Sequence, residues 1–496
     1  MTDVDETRSA LVARARALAA SGPFTADWAS LRTIGVPPWF RDAKFGIFVH
    51  WLVSAVPAYG TEWYARTMYV PGTPEFEHHL ATYGPQAEFG FKDLIPMFRG
   101  ERFDADAWIR LFRRAGAQYV VPVSEHHDGY ALYDSALTRW KAPLIGPGRD
   151  VIGELAAAAR RAGMTFGVSN HRAEHWWFFN GGTRYDSDVL DPENADLYGP
   201  ARPFHTQPDA AFLDDWLARL VDTVERYDPA LVYFDWWIEQ PVFRPYLAVF
   251  AAYLANRAAG TGGAPVINAK WDAFDEGAAV HDIERGTARS IQPRAFQNDT
   301  SASRIGWAHL DVNDFKSAAE VVGELIDVVA KNGSLLLNVG PRPDGTFVDD
   351  EVALLEGIGD WLAMNGEAVY GTRPWLVFGE GPTEPRVGSF ADTEATAWTS
   401  HDLRFTSRDE HLVYASYFTW PDAEAVVRSL GADLRITTQR IVGVAVLGHG
   451  DVAWRIEPDG LRADLAGVER RGISPVLRIE LEQPRPVERH EPGFPM

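Results

Sequence analysis

The 496-residue chain contains no cysteine. That absence excludes disulfides, thiolate nucleophiles and Cys-ligated zinc or iron–sulfur centres. The chain also lacks any run near roughly 18 uninterrupted apolar residues, so no membrane span is expected. Positive charge is scarce, with Lys+Arg 47 against Asp+Glu 69 and a net charge of -22 at pH 7. A surface that acidic argues against nucleic acid or an anionic membrane as partner. The opening stretch MTDVDETRSALVARARALAA lacks the apolar core of a secretory leader, and the expected location is cytoplasmic. What the chain has in abundance is tryptophan, 18 in all.

Length and a 46% hydrophobic content fit two or three globular domains. From about residue 40 to 340, strand-like and helix-like signals alternate. Gly46–Val49, Tyr119–Val123, Thr165–Val168, Leu231–Phe234, Val266–Ala269, Ala279–Ile283, a weak segment near Phe296 and Leu335–Val339 read as strands. Asp104 is a candidate N-cap for a helix with Trp108, Ile109, Phe112 and Ala115 on one face. Leu213, Trp216, Leu217, Leu220, Val221 and Val224 mark another helical face. A third helix is expected over Phe315–Lys331. Eight strands in mostly βα alternation predict a parallel (β/α)8 barrel. The Ile283-to-Phe296 connection is too short for a crossover helix, so the barrel should be irregular there. After Pro374, short alternating segments separated by Gly, Pro and Asp turns predict an antiparallel β-sandwich. The expected class is therefore α/β, with a helical lead-in over 1–38, a barrel over 39–372 and a sandwich over 373–496. The sandwich carries no comparable titratable cluster and is assigned a supporting role.

The C-terminal ends of the predicted strands are polar almost every time. They carry His50, the run Glu125-His126-His127-Asp128, His171, Asp235, Lys270, Glu284, Asn298-Asp299 and Asn338. In a barrel those ends form one rim, where catalysis takes place. Asp235 and Glu284 close different strands and match the pair of carboxyl groups that glycosidases need. Trp51, Trp63, Tyr64, Trp176, Trp177, Trp236, Trp237 and Trp307 fall at or just beyond strand ends, where indole faces suit the C–H face of a sugar. Each alone reads equally well as core. Adjacent strand residues point to opposite sides, so His126 and His127 are not expected to share an ion. No metal or other cofactor is expected.

These motifs resemble the α-L-fucosidases of glycoside hydrolase family 29. The resemblance rests on WFRDAKFGIFVHW, TEWYARTMY, FDADAWIRLFRRAGAQYVVPVSEHHDGYALYDS, LVYFDWW and KNGSLLLNVGPRPDG, and spans roughly residues 38–375. It implies a retaining exo-glycosidase without a cofactor, acting on fucosylated oligosaccharides or glycosides. It also implies Asp235 as nucleophile, with His50, Glu62, Trp63, His126 and His127 at positions that hold the sugar hydroxyls. The sequence departs from one branch of the family, which carries a glutamate where Gln297 stands here. A second branch takes its acid from an earlier loop, which suits Glu284. Asp299, placed in the turn-like NDTS, and Glu276, in an exposed loop, are the other acids after Asp235. Three other readings stay open: a fucose-like sugar of galacto configuration, a non-catalytic sugar-binding barrel, and a metal-dependent barrel hydrolase. The sequence leaves the oligomeric state open.

Overall fold

The computed structural model describes residues 3–392, 394–434 and 436–483. Eight parallel strands close a barrel: β1 (Phe45–Val49), β2 (Tyr119–Glu125), β3 (Thr165–Asn170), β4 (Leu231–Phe234), β5 (Val266–Lys270), β6 (Val280–Glu284), β7 (Phe296–Ser301) and β8 (Gly333–Val339). Each pairs with the next, and β8 returns to β1 with Leu337 opposite Ile47. Strands such as β1, β2 and β8 are buried along their whole length. Both faces are covered, which is why they read as unbroken apolar runs rather than alternating ones.

The longer helices are α1 (Asp3–Ser21), α2 (Ala105–Arg114), α3 (Val151–Ala162), α4 (Ala210–Tyr227), α5 (Arg244–Gly260), α6 (Ala318–Ala330) and α7 (Asp349–Asn365). Their starts follow local chemistry. Asp104, Asp150 and Asp209 each accept from a backbone N–H three residues on, satisfying a donor that the first helical turn leaves unpaired. Gly163 stops α3 in the left-handed conformation that glycine adopts at least cost. The lead-in helix α1 packs on α4 and α5 and buries Leu11, Val12, Ala15 and Ala19 in the shell core.

No helix separates β5 from β6 or β6 from β7. The outer face of β6 is correspondingly half-open, with His281 exposed. The irregularity expected from the short Ile283–Phe296 connection is present, and it extends to the connection before it.

Beyond the barrel lie β9 (Arg373–Glu380), β10 (Leu403–Arg408), β11 (Leu412–Tyr417), β12 (Glu424–Val427), β13 (Ile441–Val446), β14 (Gly450–Asp451), β15 (Trp454–Glu457), β16 (Gly460–Asp464) and β17 (Val476–Leu481). They form a six-stranded sheet, β14-β13-β17-β11-β10-β9, and a three-stranded sheet, β12-β16-β15, all antiparallel. Phe405, Val413, Leu461, Leu477 and Ile479 fill the space between them. This sandwich docks on α6 and α7. Asp327 on α6 accepts from Arg404 at 2.6 Å, and Trp361 on α7 donates to the Ser474 carbonyl at 3.1 Å. Among the described residues no helix is long and apolar enough to cross a membrane.

Candidate active site

The C-terminal ends of the barrel strands enclose a pocket of about 200 Å3. Its lining brings together His50, Glu62, Trp63, His126, His127, His171, Asp235, Trp236, Glu284 and Trp307. Five further residues complete it: Phe48, Tyr233, Lys270, Asp299 and Phe390.

Asp235 follows the last residue of β4, where the chain leaves the barrel wall and Trp237 turns it with a positive φ of 78°. His171 Nδ1–H donates to Asp235 Oδ2 at 2.9 Å, and Ser169 Oγ donates to the other ring nitrogen. His127 Nε2 stands 3.4 Å from the same oxygen, and Lys270 Nζ lies 3.5 Å from Oδ1. Burial alone pushes a carboxyl up. Here His171, Lys270 and His127 outweigh burial and hold Asp235 well below the usual range. It is an ionised carboxylate in an aromatic pocket.

Glu284 ends β6. Its Oε2 accepts from Trp236 Nε1 and from Lys270 Nζ, each at 2.5 Å. Burial raises its pKa and the Asp235 charge adds to the effect, against the pull of Lys270. Lys270 touches both carboxyls, so Asp235 Oδ1 and Glu284 Oε2 lie no more than about 6 Å apart, the sum of the two contacts. The two environments thus drive two carboxyls in opposite directions, the arrangement that separates a nucleophile from an acid.

Asp299 is not in a turn. It lies in β7, is buried, and accepts from Tyr233 OH at 2.8 Å. Phe296 is the one apolar residue of FQNDTS, so the sequence marks this strand only weakly, and the ladder to β6 and β8 carries it through Asp299. Burial and the neighbouring Asp282 push its pKa well up. Gln297 faces the barrel interior, donating to Asp282 at 2.8 Å, and does not line the pocket. Glu276 is exposed and outside it.

His126 and His127 fall in different groups of possible ligands, as expected, but strand alternation is not the reason: both lie beyond the end of β2, and their rings sit 4.2 Å apart. His50, His126 and His171 converge with possible ligand atoms within 4.8 Å of one another, as do His127, His171 and Asp235. Several ring nitrogens are already engaged. His50 Nδ1–H donates to Asn338 Oδ1 at 2.7 Å, and His171 uses both nitrogens. Burial drives His50 and His126 well below the ordinary histidine pKa, leaving them neutral, able to donate at one nitrogen and accept at the other. His127 differs. Although burial opposes it, Glu174 and Asp235 push it up to about 9, so it is a cation at neutral pH.

The tryptophans divide. Trp63, Trp236 and Trp307 line the pocket, and Trp63 stacks on Trp177 at 5.9 Å. Trp51 packs with Phe98, Phe103 and Trp108 in the shell, and Trp176 donates to Thr206 away from the pocket. Those two are core residues; proximity to a strand end in sequence does not specify which way an indole points. Lys270 was legible only as a polar strand end, although a lysine closing a buried strand is itself a signal. Phe390 carried none. It lies in the Gly/Pro-rich segment before β10, and only the docking of the sandwich brings it to the rim.

A family model described as "Alpha-L-fucosidase" matches residues 11–367. The human tissue alpha-L-fucosidase is 29% identical over 443 residues, covering 88% of this chain and 86% of that protein. The human plasma alpha-L-fucosidase is 28% identical over 453 residues, covering 89% and 88%. Among solved structures, a Thermotoga maritima alpha-fucosidase in complex with a mechanism-based inhibitor aligns with a TM-score of 0.74 at 26% identity, covering 92% of this chain and 100% of that one. The same enzyme in complex with fucose aligns at 0.72 and 27%, covering 92% and 99%.

Proposed function

Since the chain belongs to the alpha-L-fucosidase family of glycoside hydrolases, we propose that it removes terminal α-L-fucosyl residues from oligosaccharides or glycoconjugates by double displacement with retention. The observation that carries this reading is the pair Asp235 and Glu284, held within about 6 Å by shared contacts to Lys270 and pushed apart in acidity. Retaining enzymes hold their carboxyl groups about 5–5.5 Å apart, and inverting ones about 6.5–9.5 Å.

In the first step an Asp235 oxygen attacks the anomeric carbon while Glu284 gives its proton to the departing glycosidic oxygen. His171, Lys270 and His127 keep Asp235 ionised. In the second step Glu284 takes a proton from water as the water oxygen bonds to the anomeric carbon and the bond to Asp235 breaks, which restores both groups. His50 offers a free Nε2 to a hydroxyl because Asn338 holds Nδ1. His126 makes no side-chain hydrogen bond to the described residues, and Glu62, whose Oε2 accepts from the Trp307 N–H at 3.1 Å, is also available for a hydroxyl. Trp63 and Trp307 offer flat faces to the ring. A cavity of about 200 Å3 is smaller than the roughly 300–1,000 Å3 of sites for drug-sized ligands, which suits an exo-acting enzyme that takes one terminal sugar.

Purified protein tested on nitrophenyl glycosides should cleave the α-L-fucoside faster than the β-D-galactoside, α-L-rhamnoside or β-D-glucoside. NMR of the first-formed fucose should show the α-anomer. Activity on the galactoside alone would transfer the reading to a fucose-like sugar, and an initial β-anomer would overturn double displacement.

A further inference from the structure

If the pocket takes the terminal fucosyl residue, the sugar it is linked to lies at the mouth, across Glu284. Three aromatic side chains stand at that edge, Trp236 and Phe390 on the pocket wall and Trp271 just beyond it. Phe390 is 54% exposed and Trp271 is 60% exposed, with Trp236 between them. The Phe390 and Trp236 rings are nearly parallel, 13° apart at 6.4 Å, and Trp271 meets Trp236 edge-on at 4.7 Å. Two of the three are tied to Glu284 itself. The Trp236 indole donates to its carboxyl, and the Phe390 N–H donates to its backbone carbonyl at 2.8 Å.

Neither exposed ring is placed by burial, and both sit on unfavourable backbone. Phe390 has φ 57° and Trp271 has φ 50°, left-handed values that bulky residues rarely adopt. Such strain persists only where the surroundings over-determine it, and it clusters at functional sites. The surroundings here are explicit. Gly388 donates to the Thr287 carbonyl at 3.0 Å, and Ala391 donates to the Arg285 carbonyl at 2.7 Å. Asp392 accepts from Arg285, Thr300 and Lys316 at 2.7–2.9 Å. A Cβ on Gly286 would fall 1.6 Å from the Gly388 carbonyl oxygen, so the two backbones are in direct contact. The segment bearing Phe390 is fastened to the turn that follows the acid.

We propose that Phe390, with Trp236 and Trp271, is the platform of the leaving-group subsite, stacking on the C–H face of a neutral hexopyranose to which the fucosyl residue is attached. This rests on the fucosidase reading above and deepens it. An aromatic face recognises a sugar ring through its apolar C–H surface. Exposed Asp272, next to Trp271, and the net charge of -22 disfavour an anionic sugar such as a uronic acid. Phe390 belongs to the segment between β9 and β10, so the C-terminal part of the chain contributes directly to substrate choice.

The experiment compares two substrates, α-L-fucosyl fluoride, whose leaving group has no ring, and a fucosyl disaccharide with a neutral hexose. Phe390→Ala should lose about tenfold more kcat/KM on the disaccharide than on the fluoride, the scale of one aromatic stacking contact. Trp271→Ala should show a smaller split in the same direction, and Phe390→Tyr should restore the ratio. Should Phe390→Ala fail to fold, Phe390→Leu, which keeps apolar bulk and removes the flat ring, carries the same comparison. Equal losses on both substrates, or none, would overturn the platform while leaving the fucosidase reading intact. A wild-type protein that turns over neither substrate would take down both.

Discussion

Glu125, Asp215, Arg172 and Arg219 form one buried ionic cluster beneath the rim, and Lys270 with Asp235, Asp282, Glu284 and Asp299 forms another. In the first, two carboxylates meet two guanidiniums. Arg172 and Arg219 reach Glu125 at 2.6 and 3.2 Å and Asp215 at 2.9 and 3.0 Å, and Arg8 of α1 adds a further contact to Asp215. The charges match, and the arginines hold Asp215 well below the usual carboxylate range despite burial. In the second cluster one ammonium serves four carboxyls. They cannot all ionise, because like charges at close range raise each other's pKa. Asp235 stays ionised, while burial pushes Asp282 up and burial together with neighbouring charge pushes Glu284 and Asp299 up. The matched cluster fixes the ends of β2 and β3, from which His126, His127 and His171 project. The mismatched cluster stores protons. Equal burial therefore serves two ends, and charge arithmetic tells them apart.

The largest test of that contrast pairs Asp235→Ala with Arg172→Ala. Asp235→Ala should cut kcat/KM by about 10^4-fold or more with a melting curve close to wild type. Arg172→Ala strands buried carboxylates and should cost about 3–5 kcal/mol of stability in urea titration, with near-normal turnover per folded molecule. Matching losses of both properties in both variants would erase the distinction.

Next in size is Glu284→Ala. A general acid contributes about 10^2–10^4-fold, so a natural fucoside should suffer by that amount, while the first step on an activated aryl fucoside is spared. Azide should then restore turnover, since it needs no base. If Asp299→Ala shows that pattern and Glu284→Ala does not, the acid is Asp299.

The smallest effect sharpens the comparison through pH. Lys270 favours the ionised forms of both Asp235 and Glu284. Its removal in Lys270→Met should raise both pKa values. Activity needs Asp235 ionised and Glu284 protonated, so both limbs of the kcat/KM profile should move to higher pH. Arg172→Lys should move neither limb, and a shift there would show that the two clusters communicate.

Much of the site was legible because strand ends are legible. Apolar runs stop at polar residues, and in a parallel barrel all such stops share one rim. That reasoning places His50, His171, Asp235 and Glu284 on the same side before any contact is known. It fails where the local rule changes. His126 and His127 left the strand, so alternation no longer separated their rings. FQNDTS carries only a weak strand signal of its own, around Phe296, and its neighbours β6 and β8 hold it extended through Asp299. Trp51 and Trp63 both belong to motifs near the rim, yet one fills the shell and the other lines the pocket.

The sequence by itself determined the βα alternation, the helix start at Asp104, the sandwich after the barrel and the pair Asp235 and Glu284. Each of these rests on periodicity, caps or chain stops within a short window. Only the tertiary structure decided that Lys270 sits among four carboxyls, that His127 is charged while His50 is neutral, and that Phe390 reaches the rim. Those outcomes depend on distances between segments far apart in the chain, from Lys270 to Asp299 and from Phe390 to Glu284. Electrostatic energy and packing are functions of such distances, and no local pattern encodes them.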